Sequence, residues 1–145
     1  MPADADYGRD LAEQLTALDL GSITAVAFTY DPYVDFEQLE TSEPYCCISP
    51  NLYEHIRESR VIWRETIQLV VTLVSVAGPT SDSDWVDGWL DDWDAAVREM
   101  REMKVLGKHK PVSVDADARY DTDLFHNHNR LVTQAMLNYQ NVKVM

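Results

Sequence analysis

Along residues 61–76 apolar side chains alternate with others: Ile67, Leu69, Val71 and Leu73 fall on one parity, Thr66, Gln68, Val70 and Thr72 on the other. Successive side chains of a strand point to opposite faces, so this pattern predicts a central β-strand with one wholly apolar face and one mixed face. The mixed face carries Val70 and Val74 among polar groups, which predicts contact with a neighbouring subunit more than plain solvation.

The other elements follow from the same kind of reading. Leu11, Leu15 and Leu18 stand at i, i+4 and i+7 and predict a helix over residues 7–18, ended by Asp19-Leu20-Gly21. The β-branched and aromatic run 23–30 predicts a strand stopped at Asp31-Pro32. Residues 45–49 predict a brief strand closed by Pro50, with room for a helical turn or two over 51–58. After Gly78-Pro79-Thr80, Ser81 and Asp84 have capping-box spacing, and Trp85, Trp89, Trp93, Val97 and Met100 form one aromatic-rich stripe of a long helix. Its aspartates come early and Arg98, Arg101 and Lys104 late, the order a helix dipole favours, and Gly107 is the expected stop. A short strand is expected over 110–115, a polar connection over 120–129 and a closing strand over 131–144, where Leu131, Ala135, Leu137 and Tyr139 share one parity and Gln134, Asn138 and Gln140 the other.

The predicted order is therefore α-β-β-β-α-β-β. Without regular β-α alternation this implies an α+β fold: a mainly antiparallel sheet packed on one face by an N-terminal helix and a long Trp-rich helix. No repeat, low-complexity tract or linker divides residues 1–145, and that length suits a single domain.

Charge narrows the function. Twenty-five acidic residues against 12 basic ones give a net charge of −13, which argues against neutralising nucleic-acid phosphates or docking on an anionic membrane. The apolar stretch 67–77 falls short of the roughly 20 residues of a membrane-spanning helix. The N-terminal Met-Pro-Ala-Asp-Ala-Asp has neither the basic start nor the apolar core of a signal peptide, so the cytosol is the expected compartment. Cys46 and Cys47 are adjacent, point to opposite faces of an extended segment and read as reduced structural thiols.

Catalytic patterns are sparse. His126 and His128, two residues apart, could ligate one metal from one face of a strand, with Asp121 or Asp123 as a third ligand, but the same segment reads as a polar surface connection. The three tryptophans at helical spacing read as core, and the aspartates among them as a solvated face. There is no Gly-rich phosphate loop, no Gly-x-Ser-x-Gly elbow and no cysteine paired with an identifiable histidine. The expectation is a non-catalytic assembly protein that takes no cofactor and no metal.

One resemblance gives that expectation content. The strand ending in Tyr30-Asp31-Pro32-Tyr33, the acidic Asp35-Phe36-Glu37-Gln38-Leu39, the close Ile48-Ser49-Pro50, the strand 66–74, Trp89-Leu90-Asp91 within the helix, Tyr120-Asp121, Phe125 and Leu137-Asn138-Tyr139 occur in an order that resembles the tail terminator (tail completion) proteins of long-tailed bacteriophages over about residues 10–144. The resemblance implies a structural virion protein, assembled in the host cytoplasm, that forms a ring, commonly hexameric, at the head-proximal end of the tail tube. Its partners would be copies of itself, the tail tube protein and a head-closure or connector protein, with DNA passing through without specific binding. On that reading Asp31, Asp35, Glu37, Glu40 and Glu43 are interface or channel candidates, although an ordinary solvated loop explains them as well. A head-closure or minor tail protein, and a metal-dependent enzyme using His126 and His128, are the alternatives.

Overall fold

The computed structural model describes residues 3–21, 23, 25–30, 45–76, 83–116 and 130–144. In chain order its elements are α1 (Ala3–Thr16), β1 (Ala25–Phe28), β2 (Tyr45–Arg57), β3 (Ile62–Val76), α2 (Ser83–Glu102), β4 (Ser113–Asp115) and β5 (Arg130–Val144). The five strands form one sheet in the order β1-β2-β3-β5-β4. Only the β1–β2 pair is parallel, so the fold is α+β with a mostly antiparallel sheet.

The alternation that predicted β3 is what the sheet uses. Ile67, Leu69, Val71 and Leu73 are buried in the core, and their cross-strand partners Leu137 and Ala135 on β5 and Ile48 and Cys46 on β2 share that face. From α1 the same core takes Tyr7, Leu11, Ala12 and Leu15, and from α2 it takes Trp89, Trp93, Val97 and Met100. Leu18, expected in the helix stripe, lies beyond the end of α1 and is exposed, because the chain turns at Gly21 with φ of +67°. A Cβ at Gly21 would sit 2.5 Å from an Asp92 carboxylate oxygen, so both the backbone angle and the space require glycine.

The helices are tied to each other by polar contacts at one end. The Asp10 carboxylate accepts from the Gln14 amide at 2.7 Å and from the Leu106 backbone N–H at 2.7 Å, while the Gln14 amide also donates to the Lys104 carbonyl at 2.8 Å. These bonds satisfy backbone groups just past the end of α2. The helix stops at Glu102, short of the expected stop; Gly107, with φ of +76°, instead closes the turn that bridges Val105 to His109.

Two further expectations are corrected. The strand beginning at Tyr45 does not close at Pro50, and residues 51–57 are strand, not helix. Proline lacks an N–H and is tolerated on a sheet edge. Here β1 covers only Tyr45–Ile48, so Pro50 stands where, among the described residues, the outer edge of β2 has no partner strand, and the register shift between Pro50 and Leu52 absorbs the irregularity. Val70 and Val74, expected to meet another subunit, are buried within the single chain. Among the described residues no helix is long and apolar enough to cross a membrane.

Stability should reside in the core face and not in the distal strand ends. Leu73→Ala, which opens a cavity at a fully buried position, is expected to cost about 2–5 kcal/mol. Ile56→Ala, at an exposed position of β2, is expected to change stability by less than about 0.5 kcal/mol. Urea unfolding of the two variants checks both figures.

Candidate functional site

The core does not extend along the whole sheet. Its most distal apolar pair is Ile67 on β3 and Tyr139 on β5, with Tyr53 of β2 in the same row, yet β2 continues to Arg57, β3 begins at Ile62 and β5 runs to Val144. At about 3.3 Å per residue the three strands reach roughly 13–17 Å past the last core row. Every residue from 51 to 61 is exposed. The result is a three-stranded arm, and among the described residues nothing pairs with the outer edge of β2 over 51–57 or of β5 over 140–144.

The tip of the arm is well tied. Ser59 Oγ accepts from the backbone N–H of Val61 and Ile62 at 3.3 and 3.1 Å, and the Glu58 N–H donates to the Ile62 carbonyl at 2.9 Å. The Arg57 guanidinium donates to the Ser59 and Arg60 carbonyls and lies 5.7 Å from the Trp63 ring centroid, and the His55 ring packs 4.8 Å from the same indole. Arg64 and Glu58 form an ion pair at 2.9 Å.

Where the arm leaves the body, a polar and aromatic cluster sets its direction. The Tyr53 hydroxyl donates to Glu65 Oε2 at 2.7 Å, and Glu65 is buried. Tyr7 of α1 stacks on His109 at 5.2 Å and meets the Tyr139 ring edge-on at 5.4 Å. Burial first, then the nearby Glu65 and Tyr53, pushes the Tyr7 hydroxyl up to about 12; burial, with Tyr7 and Asp10, raises Tyr139 as well. Tyr53 is raised chiefly by its bond to Glu65.

The two faces of the arm differ. On the face opposite the core, a chain of side-chain hydrogen bonds crosses four strands: Asn51 donates to Gln68, Gln68 to Asn138 at 2.8 Å, and Asn138 to Ser113 at 2.9 Å and to Asp115 at 3.3 Å. On the body side of this ladder the face is buried at Cys47, Ser49, Val70, Thr72 and Val74, and Gln134 donates to Thr72 at 3.1 Å. On the arm side it is mixed and open: Leu52, 39% exposed, Ile56, 49%, Val142, 53%, and Val144, 77%, stand there among Glu54, Arg64, Thr66 and Gln140. Isolated exposed apolar side chains are ordinary, but several gathered on one flat, two-edged arm mark a surface built to be covered.

The residues singled out in the sequence are placed unevenly. Asp31, Asp35, Glu37, Glu40 and Glu43, and likewise His126 and His128, lie outside the described residues. Among the described residues no three His, Cys, Asp or Glu gather as metal ligands. Cys46 and Cys47 are both free and buried, on opposite faces of β2, and burial raises the Cys46 thiol well above its ordinary range, which keeps it protonated and unreactive. A cleft of about 390 Å³ opens beside α2 at Trp93, Val97, Arg98 and Arg101; its lining includes one carboxylate, Asp94, and no histidine, cysteine or serine. The arm was not read from the sequence, although the alternation of Leu52, Glu54 and Ile56 with Tyr53, His55 and Arg57 is compatible with a strand.

No protein-family model matches the chain, and no curated protein matches its sequence.

The root cluster makes a pH prediction. Tyr7 has a folded pKa near 12 against an ordinary value of 10, so the native state favours the protonated form. Its contribution is intact below pH 10 and is lost as pH rises from 10 towards 12. The urea midpoint of the protein is expected to fall between about pH 10 and 12, and Tyr7→Phe should flatten that fall; an equal slope in the variant would assign the loss to other groups.

Proposed function

We propose that the chain is a structural virion protein that forms a ring at the head-proximal end of a phage tail tube, ends tube growth and provides the joint to the head. The observation that carries this reading is the three-stranded arm: a tied, outward-reaching piece of sheet whose two edges have no partner strand among the described residues and whose open face exposes Leu52, Ile56, Val142 and Val144, which a chain working alone has no reason to keep exposed. The net charge of −13 supports it from another side, since a ring with an acidic surface lets a polyanion pass without holding it. The element order α-β-β-β-α-β-β agrees with the resemblance drawn from the sequence.

Deleting the gene from the replicon that carries it tests the reading. The expected result is unjoined heads and tails with tubes of irregular length, seen by electron microscopy. Normal virions, or a replicon that makes no virion, would overturn it.

A further inference from the structure

The cleft beside α2 stands apart from the arm. Leu90, Trp93 and Val97, all buried, make its apolar floor, and Arg98 and Arg101, both exposed, stand at the C-terminal end of the helix. Among the described residues neither guanidinium is in an ion pair; Arg98 donates to the Asp94 carbonyl at 3.4 Å. Two arginines against the one carboxylate of Asp94 leave the lining net positive, in a chain whose net charge is −13. The volume of about 390 Å³ is near the lower end of the roughly 300–1,000 Å³ of ligand pockets, which suits a side chain and not a folded element. An apolar floor leading to two cations calls for an apolar side chain followed by carboxylates on the same side of its chain.

The sequence contains such a segment. Residues 31–44 carry Asp31, Asp35, Glu37, Glu40 and Glu43 and no Lys, Arg or His. In an extended chain Leu39, Glu37 and Asp35 fall on one side, the two acids about 6.6 and 13 Å from Leu39. Along α2, Arg98 and Arg101 lie about 7.5 and 12 Å from Trp93. An extended chain antiparallel to the helix thus brings Leu39 over Trp93 and Val97 as Glu37 reaches Arg98 and Asp35 reaches Arg101. Asp121, Asp123 and Phe125 alternate in the same way but stand among Arg119, His126 and His128, a poorer match for a basic rim.

We propose that this cleft takes residues 35–39 of a second copy, with Leu39 on the apolar floor and the Glu37 and Asp35 carboxylates on Arg98 and Arg101. The inference rests on the ring reading in taking another copy of this chain as the source of the segment. Cleft and segment are different patches, so the contact is head-to-tail, and repetition closes into a ring when the rotation between copies divides a full turn.

Two measurements on the full-length protein test this. A fluorescently labelled peptide of residues 33–43 should bind saturably by anisotropy. Arg98→Ala with Arg101→Ala, at an unchanged urea midpoint, should weaken binding roughly fivefold, about what two exposed ion pairs are worth. Leu39→Ala in the peptide should weaken it roughly tenfold, as lost burial of a leucine side chain requires. For the source of the segment, protein carrying the photo-cross-linker benzoylphenylalanine at position 39 is mixed with isotope-labelled protein and irradiated. Mass spectrometry should find links from position 39 of the unlabelled chain to residues 90–101 of the labelled one. Equal binding of a scrambled peptide, arginine variants that bind like the parent, tighter binding of a peptide of residues 119–127, or links confined to the unlabelled chain would each overturn the proposal. Such results leave the gene-deletion outcome untouched, so failure of this contact and failure of the ring reading are told apart.

Discussion

The structure depends on β3. It is paired along its length on both sides, with β2 through the Tyr45–Val74 to Arg57–Trp63 register and with β5 from Ile62–Val144 to Val76–Arg130. A central strand satisfies its backbone groups on both edges, so its side chains alone decide what covers its faces. One face, from Ile67 to Leu73, is apolar without interruption and takes the residues of α1 and α2 that complete the core. Other elements are placed with respect to that face.

A second consequence follows from lengths. Strands β2, β3 and β5 have 13, 15 and 15 residues, but the core face of β3 occupies only the stretch from Ile67 to Leu73. The remainder keeps its cross-strand hydrogen bonds and is held as an arm by the Tyr53–Glu65 bond at its root and by the Ser59 turn at its tip. Because β1 and β4 are short, covering Tyr45–Ile48 and Met136–Asn138, they shield the two long strands only near the body. Edge strands are normally protected by charge, proline or short length. Pro50, Glu54 and Arg57 supply some of that protection on β2, while Val142 and Val144 on β5 supply none. In the proposed ring the same exposure becomes the means of joining copies.

The helical elements show how polar detail completes what apolar pattern begins. The stripes of α1 and α2 are set by spacing, but their mutual placement is fixed where Asp10 and Gln14 take up backbone groups at Lys104 and Leu106, far away in sequence. Among the described residues the buried indole N–H of Trp89 has no hydrogen-bond partner, so its ring serves the core as apolar bulk.

Where the pattern of side chains reports directly on burial, the sequence alone sufficed: it determined the type and order of the described elements, the α+β class, the buried parity of β3 and β5, and the inert cysteines. Period 2 and period 3.6 are local properties of the backbone, and a continuous apolar face has no stable alternative to a core. It could not show that β2 passes through Pro50, because proline is excluded from a strand only where its missing N–H would face a partner, and the end of β1 at Phe28 is a fact of pairing. Nor could it show that Val70 and Val74 are buried within the chain while Leu52, Ile56, Val142 and Val144 stay open, since all of these alternate with polar neighbours in much the same way. Which apolar positions lie under a cover and which lie beyond it depends on where the layers end, and only the tertiary structure decides that.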